Sequence, residues 1–323
     1  MIDFKSRYLL AKEYDTPEVD RIYTLSNNSS LFSDPEAMAE FSKMFFPATN
    51  HPYDRKLVIP SDFDDNQIAL YVYYPDKRPE GELPVVYYIH GSGYLVGTAD
   101  MFGTELKRIA NESEVAVVSV EYRLAVKAPF PADIHDCVSG LRYLFSHGKD
   151  LGIDSNRVVL MGPSAGGGLT ARLALYNRDH DKLPVKGQIL IYPMLDYRTG
   201  TDEAPIGNPF GGQLLWTPAF NRLGWTTLRG GQDIPENLMP YYSASTAVSL
   251  AGLPSTFIAV GNMDLFSVED YTYAQRLVVD GVPCEFHQIY GVYHGFDVVE
   301  PDSPQTNLLN DLQRKALKRM LGN

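Results

Sequence analysis

The sequence predicts an α/β fold built on a mostly parallel sheet with helices on both faces. Two observations lead to this prediction. Short apolar runs typical of buried strands alternate with helix-like segments along most of the 323 residues, and polar or glycine-rich loops directly follow several of these runs. Such an alternation favours a parallel sheet, because each crossover helix returns the chain to the same edge.

Apolar runs predict seven strands, at residues 67–74, 85–89, 115–120, 158–161, 187–192, 256–260 and 285–290. The alternation of strands and helices is interrupted at 199–239, a stretch rich in Gly, Pro and Thr. This interruption indicates an insertion after the strand that ends at Pro193. On the amino-terminal side of the predicted strands, a capped amphipathic helix is predicted from Asp34, Pro35, Met38, Phe41, Phe45 and Pro47.

The pattern G-x-S-x-G at residues 162–166 lies between the apolar run 158–161 and a segment rich in helix formers. This context places Ser164 on a sharp strand-to-helix turn. Small flanking residues are needed in so tight a turn, and the following helix N-terminus favours nearby negative charge. The arrangement is typical of the nucleophile elbow of α/β-hydrolases. Ser164 is therefore the candidate nucleophile.

A serine hydroxyl is a weak nucleophile at neutral pH and needs a base and a group that orients the base. Asp264 follows the predicted strand 256–260, and His294 follows the predicted strand 285–290. The chain order Ser, acid, His is that of α/β-hydrolases, whose catalytic groups project from the carboxyl edge of the sheet. Ser164, Asp264 and His294 are therefore the predicted catalytic residues.

Acyl transfer also requires donors for the developing oxyanion. The segment H-G-S-G-Y at residues 90–94 follows the predicted strand 85–89, where a hydrolase places its oxyanion loop. The expected donors are the backbone N–H groups of Ser92, Gly93 and Ala165. His90 is expected to brace this loop, since His294 already fills the role of the base.

Taken together, these motifs resemble the hormone-sensitive-lipase-like family of α/β-hydrolases, in its bacterial carboxylesterase branch. The resemblance covers roughly residues 58–296. It is carried further by E-Y-R-L-A and P-F-P-A at 121–132, I-Y-P-M-L-D at 191–196, and the Tyr-Ala and G-V-P motifs within 273–283. The spacing of 30 residues between Asp264 and His294 also matches the family.

The resemblance implies an eight-stranded, mostly parallel sheet in a catalytic domain at 51–323, with residues 1–50 and about 197–240 forming a helical cap over the active site. It also implies a pocket, for which the candidate residues are Tyr94, Trp216, Phe220 and Phe296. Three departures stand out. Pro163 replaces the family's Asp, Ser92 interrupts H-G-G-G, and Val126-Lys127 replaces a Pro-Glu pair. The elbow is expected to survive, because proline restrains φ compatibly with a strand end.

Other chemistries fit the sequence less well. Asp133, His135 and Asp136 are close in sequence, but on one helix they cannot all face one point, so a solvated face is expected and no metal. The glycines at 91–93 lack the third glycine of a dinucleotide loop, because Val96 stands there. Gly167-Gly168 is not followed by the Lys of a phosphate-binding loop. No cofactor is expected.

Composition limits the partners and the compartment. A formal net charge of −12 and a pI near 5.0 argue against nucleic acid or an anionic membrane as partner. The amino terminus lacks the apolar core of an export signal, and no stretch resembles a membrane span. Cys137 and Cys284, the two cysteines, are expected to be reduced thiols. A cytoplasmic protein is predicted, and a homodimer is left open.

The sequence therefore predicts a serine esterase that hydrolyses short- to medium-chain acyl esters of small molecules by a two-step acyl-enzyme mechanism. Two alternatives remain open. One is a ligand receptor on the same fold that has lost catalysis, although all three catalytic residues are retained here. The other is an amidase, lactonase or peptidase using the same three residues, because leaving-group preference depends on the shape of the cap and pocket.

Overall fold

The structure is a computed structural model that describes residues 2–28, 31, 36, 40, 52–91 and 93–322. In the predicted amino-terminal helix, Asp34, Pro35, Met38, Phe41, Phe45 and Pro47 lie outside these described residues, and so does Ser92 of the predicted oxyanion loop.

The described residues form one eight-stranded sheet in the order β1-β2-β4-β3-β5-β6-β7-β8. Its strands are β1 Arg55–Pro60, β2 Gln67–Tyr73, β3 Leu83–Tyr88, β4 Ala116–Glu121, β5 Ile153–Pro163, β6 Val185–Ile191, β7 Ser255–Gly261 and β8 Cys284–Ile289. β2 runs antiparallel to both β1 and β4, and the other neighbours are parallel. The mostly parallel sheet is confirmed. Sequence patterning missed β1, because this edge strand is largely exposed and its apolar run, residues 57–59, is only three residues long.

The α-helices are α1 Pro17–Ser26, α2 Gly103–Ser113, α3 Ala132–His147, α4 Ser164–Tyr176, α5 Pro218–Arg229, α6 Met239–Tyr242, α7 Ser267–Val279, α8 Phe296–Val299 and α9 Pro304–Leu321. Short 3₁₀ or π turns lie at Arg7–Leu9, Lys12–Tyr14, Gly148–Leu151, Asn177–Asp181, Glu236–Leu238 and Ala244–Thr246. Within the described ranges, no helix is both long and apolar enough to cross a bilayer.

Helices cover the sheet on both faces, as expected from strand alternation. Val85 and Tyr87 of β3 belong to the core beneath α3, α4 and α7, whereas Val86 and Tyr88 belong to the core beneath α1, α2 and α9. Successive side chains of a strand point to opposite faces, so one strand contributes to two cores. The sheet is thereby buried on both sides, and its carboxyl edge is held rigidly.

The amino-terminal segment contacts the insertion after β6. The hydroxyl of Ser6 donates to Gln213 Oε1 at 3.0 Å, Asn27 Nδ2 donates to Gln213 O at 3.1 Å, and Leu215 N donates to Ser26 Oγ at 2.9 Å. Two segments far apart in sequence thus meet. The contact supports the division into a catalytic frame and a two-part cap, which stays a prediction.

The predicted solvated face of α3 is wrong. Asp133 and Asp136 are both buried, and each is neutralised by an arginine from another element. Asp133 pairs with Arg172 of α4, and Asp136 accepts from Arg123 Nε at 2.9 Å and Nη2 at 2.8 Å. Since buried carboxylates require partners, these residues are structural ion pairs. Across the described ranges, no cluster of His, Cys, Asp or Glu could hold a metal ion.

Candidate active site

Ser164 lies at the junction of β5 and α4, in the middle of the sheet. Its φ is +56°, a left-handed conformation that is strained for a residue with a side chain. The turn is tight because a Cβ at Gly166 would lie 2.1 Å from the carbonyl oxygen of Ile89. Only glycine fits there, and the strained turn brings the Ser164 hydroxyl within hydrogen-bonding distance of His294.

A chain of hydrogen bonds links the three residues predicted to act together. The Oγ of Ser164 lies 2.8 Å from His294 Nε2, and His294 Nδ1 lies 2.8 Å from Asp264 Oδ2. An ionised carboxylate only accepts, so Nδ1 carries the proton and donates to Asp264. The Nε2 lone pair is then free to accept from the serine hydroxyl. This arrangement can take a proton from Ser164 as its oxygen attacks an electrophile.

The surroundings of Asp264 and His294 hold them in place. Asp264 is fully buried, and its Oδ1 accepts from the backbone N of Phe266 at 2.9 Å. The imidazole of His294 is flanked by aromatic rings, with centroid distances of 4.7 Å to Tyr192, 5.2 Å to Phe266 and 6.1 Å to Trp216. Because β7 precedes Asp264 and β8 precedes His294, both residues meet Ser164 at the carboxyl edge.

The predicted oxyanion loop lies directly against the elbow. A Cβ on Gly91 would lie 2.8 Å from the carbonyl oxygen of Pro163, so the two backbones are in contact. Gly93 has a φ of +60°. Ala165 lies in the first turn of α4, where backbone N–H groups lack partners within the helix. Gly93 and Ala165 therefore lie on the two segments from which an oxyanion would receive its hydrogen bonds.

His90 lies behind this loop. Its ring stacks on Tyr122 at 4.4 Å, and the Tyr122 hydroxyl donates to the carbonyl oxygen of His90 at 2.9 Å. Burial lowers the pKa of His90 to about 4, so its imidazole is neutral at physiological pH. The residue packs the base of the loop, away from the Ser164 hydrogen-bond chain.

The four candidate pocket residues divide into two groups. Tyr94 and Phe296 are inaccessible to solvent, so neither lines an open pocket in this structure. Trp216 retains 8% exposure and Phe220 4%, and their rings pack edge to face at 6.0 Å. Trp216 also approaches both Gly93 and His294. The indole of Trp216 therefore lies against both the predicted oxyanion loop and the imidazole of His294.

Sequence reasoning missed three residues at this site. Asn221 Oδ1 accepts from Trp216 Nε1 at 3.2 Å and so fixes the indole. Tyr192 packs on His294, and its hydroxyl donates to Asp297 Oδ1 at 2.8 Å. The only signals in the sequence were proximity to motifs, since Asp297 follows His294 by three residues and Tyr192 lies in the I-Y-P segment.

A hydrogen-bonded Ser-His-Asp chain on a strand-to-helix elbow, at the carboxyl edge of a mostly parallel sheet, defines the class of α/β-hydrolases. The sequence matches the alpha/beta hydrolase fold family over residues 86–298, which is most of the chain. The protein belongs to this family. The predicted fold class, family and enzyme class are therefore confirmed.

Individual relatives are similar over most of their length. Esterase LipI of Mycobacterium tuberculosis is 32% identical over 253 residues, which cover 76% of each chain. Carboxylesterase NlhH of the same organism is 32% identical over 236 residues, or 71% of each chain. Among solved structures, a bacterial heroin esterase is 29% identical with a TM-score of 0.84, covering 98% of this chain and 99% of that one.

Proposed function

We propose that this enzyme is a carboxylic ester hydrolase in which Ser164 is the nucleophile, His294 the general base and Asp264 the residue that orients the base. The observation that carries the proposal is the pair of 2.8 Å contacts joining Ser164 to His294 and His294 to Asp264 on the elbow. The names of the relatives, esterase and carboxylesterase, support the same reaction class.

In the first step, His294 Nε2 removes the proton from Ser164 while its oxygen attacks the ester carbonyl carbon. Asp264 stabilises the imidazolium that forms and fixes its tautomer. The carbonyl oxygen becomes an oxyanion, which accepts from the backbone N–H groups of Ser92, Gly93 and Ala165. Collapse of the tetrahedral intermediate expels the alcohol, which takes the proton from His294.

In the second step, water attacks the acyl-enzyme. His294 takes a proton from the water as its oxygen bonds to the acyl carbon. When the intermediate collapses, the bond from the acyl carbon to Ser164 Oγ breaks, His294 returns the proton to Ser164 Oγ, and the carboxylic acid is released. Each oxyanion donor is worth about 3 kcal/mol in the barrier. No step requires a cofactor or metal, because the negative charge that develops is stabilised by main-chain donors.

Short- to medium-chain acyl esters of small molecules are the proposed substrates. Trp216 and Phe220, from the insertion after β6, narrow the space next to the catalytic groups. The proposed cap of residues 1–50 and about 197–240, to which both aromatic residues belong, covers the catalytic groups. Action in the cytoplasm, without nucleic acid or membrane as partner, agrees with the net charge of −12. A homodimer is compatible with this proposal, which needs only one chain per site.

The test is Ser164→Ala, assayed with p-nitrophenyl acetate. We expect a folded variant with no burst of p-nitrophenol and a kcat lowered by about 10⁶-fold, as for loss of a serine nucleophile elsewhere. The matched control is Ser139→Ala, which removes another buried serine hydroxyl, one that bonds to His135 O on α3. Full activity in Ser164→Ala would refute the assignment. A parallel panel of esters, lactones and aryl amides identifies the leaving group that the site prefers.

A further inference from the structure

A second carboxyl group is linked to the imidazole of His294 through one intervening side chain. Asp297 is on α8, which follows His294 in the chain, and its Oδ1 accepts from the hydroxyl of Tyr192 at 2.8 Å. The ring of Tyr192 packs edge to face on His294, with centroids 4.7 Å apart and an interplanar angle of 63°. The mechanism described above uses neither residue, although one touches the base directly.

The backbone conformation and hydrogen bonds of Tyr192 constrain its ring to this position. Its φ is +36°, a left-handed conformation that strains a residue with a bulky side chain. Its N–H donates to Ala259 O at 2.7 Å, which anchors the turn after β6 to β7. At the other end, the hydroxyl is fixed by Asp297. The Tyr192 ring is therefore anchored at both ends and forms a rigid wall for the imidazole.

The Tyr192–Asp297 bond also ties two loops together. Asp297 lies three residues after His294, whereas Tyr192 directly follows β6, the strand next to β5 and its elbow. Gly295, with a φ of +67°, provides the turn between His294 and α8. The loop that carries the base is thus attached to the part of the sheet that carries the nucleophile. This attachment limits sliding of the imidazole relative to Ser164 Oγ.

The charge of the Asp297 carboxyl group also acts on His294. Burial raises the pKa of Asp297 to about 6, while the bond from Tyr192 acts in the opposite direction. Asp297 is therefore ionised at neutral pH. The other groups that interact electrostatically with Asp297 or with its Tyr192 partner are Glu105 of α2, Tyr88 of β3, Tyr14 of the amino-terminal segment, Asp264 and His294. Among these groups, His294 is the one that becomes cationic during the reaction.

We propose that Tyr192 and Asp297 are positioning residues of the esterase site: their hydrogen bond aligns the His294 imidazole, and the Asp297 carboxylate strengthens His294 as a base. The inference rests on the proposed function. Asp297 exchanges no proton in the reaction, because the proton passes from Ser164 Oγ to His294 Nε2 and then to the leaving alcohol. The negative charge of Asp297 stabilises the imidazolium in between, in addition to Asp264.

The two contributions can be separated by substitution. Asp297→Asn keeps an acceptor for the Tyr192 hydroxyl but removes the charge. Tyr192→Phe keeps the ring against His294 but removes the bond, which raises the pKa of Asp297 further and leaves less carboxylate near neutral pH. Asp302→Asn is the control, because it removes a charge of the same sign from an exposed position five residues along the chain.

The first measurement is kcat and KM for p-nitrophenyl acetate from about pH 5 to about pH 9, the range in which histidine titrates. We expect Asp297→Asn to lower the acidic midpoint of the kcat profile by about 0.5–1 unit, as for loss of one nearby opposite charge. KM should change little. Tyr192→Phe should shift the midpoint in the same direction and lower kcat several-fold, while Asp302→Asn follows the wild type.

The second measurement does not depend on activity. The His294 pKa is followed by NMR of the ring nitrogens in the wild type and in each variant, and it should fall in Asp297→Asn and in Tyr192→Phe. Unchanged His294 titration in both variants overturns the inference even if the enzyme is an active esterase. A wild type without esterase activity, but with the expected shift, would reject the proposed function alone. Should Asp297→Asn not fold, Tyr192→Phe decides by itself.

Discussion

Replacing Gly93 by alanine separates the role of the oxyanion loop from that of the Ser164 hydrogen-bond chain. A Cβ at Gly93 would lie 1.9 Å from Trp216 Cη2 and 2.7 Å from Cζ3. Carbon atoms in contact prefer a separation of about 3.5–4 Å. Either the indole or the loop must therefore move by roughly 1.5–2 Å, the shortfall from that contact distance.

The loop is the part expected to move. Trp216 is fixed by its hydrogen bond to Asn221 at 3.2 Å and by packing on Phe220 and near His294. Displacing the Gly93 N–H from the oxyanion costs about 3 kcal/mol, the value of one donor. That loss corresponds to a decrease in kcat of roughly 10²-fold. A left-handed alanine at φ +60° adds about 1–2 kcal/mol of lost stability.

The assay is steady-state hydrolysis of p-nitrophenyl acetate, together with urea unfolding of each variant. Gly231→Ala is the matched control, since Gly231 has a φ of +73° but nothing within 4 Å of its added Cβ. It should lose about 1 kcal/mol of stability, from the backbone strain alone, and keep its kcat. The double variant Gly93→Ala/Trp216→Ala removes the collision and should recover much of the lost kcat.

Two outcomes would contradict this reasoning. If Gly93→Ala kept wild-type kcat, the backbone at Gly93 would not stabilise the oxyanion. If the double variant were no more active than Gly93→Ala, the loss would come from backbone strain and not from contact with the indole. Trp216→Ala alone is measured in the same series, because it shows how far the indole itself limits the length of the acyl chain.

Two further predictions concern buried charge. Asp133→Ala leaves the buried guanidinium of Arg172 without its carboxylate partner, since both side chains are 1% exposed. The free energy of unfolding in urea should therefore fall by about 3–5 kcal/mol. Asp133→Leu/Arg172→Met should recover most of this loss, and a double variant as unstable as the single one would argue against the pair. Asp270 is fully buried, and within the described residues neither carboxyl oxygen has a hydrogen-bond partner, so Asp270→Ala should stabilise the fold by about 1–3 kcal/mol. Burial raises the pKa of Asp270 well above its usual value. The folded state therefore binds the Asp270 proton more tightly than the unfolded state does. The contribution of this difference to the free energy of unfolding is fully present below the unfolded pKa of about 3.9 and is lost as the pH rises through the folded pKa. The gain in Tm from Asp270→Ala should therefore be larger at pH 8 than at pH 5, to be measured by thermal unfolding at about these two values, and an equal or negative gain would contradict the reasoning.

Local patterns predicted the elbow, the seven strands and the order of the candidate catalytic residues. Ser164 could be placed because its neighbours require a tight turn within five residues, which is information carried by adjacent positions. Asp264 and His294 could be placed because each follows an apolar run, and the ends of parallel strands meet at one edge. The structure brings the three together, with His294 bonded to Ser164 on one side and to Asp264 on the other.

Partners distant in sequence could not be predicted. Sequence patterning predicts a solvated face for Asp133 and Asp136, since nothing near them in the sequence indicates that Arg172 and Arg123 contact them. Patterning does not predict β1, because this largely exposed edge strand has an apolar run of only three residues, 57–59. The pairing of Tyr192 with Asp297 joins residues 105 positions apart, and no periodicity marks it.

The sequence by itself determined the class of chemistry, because motif spacing and the order of strands and loops specify which groups reach the carboxyl edge. Only the tertiary structure decided how those groups are held. The packing of Trp216 on Gly93, of Tyr192 on His294 and of Asp270 in the core depends on side chains from separate elements filling one space. Such packing is a property of the folded chain, since close contacts between distant residues exist only after the sheet and helices have assembled.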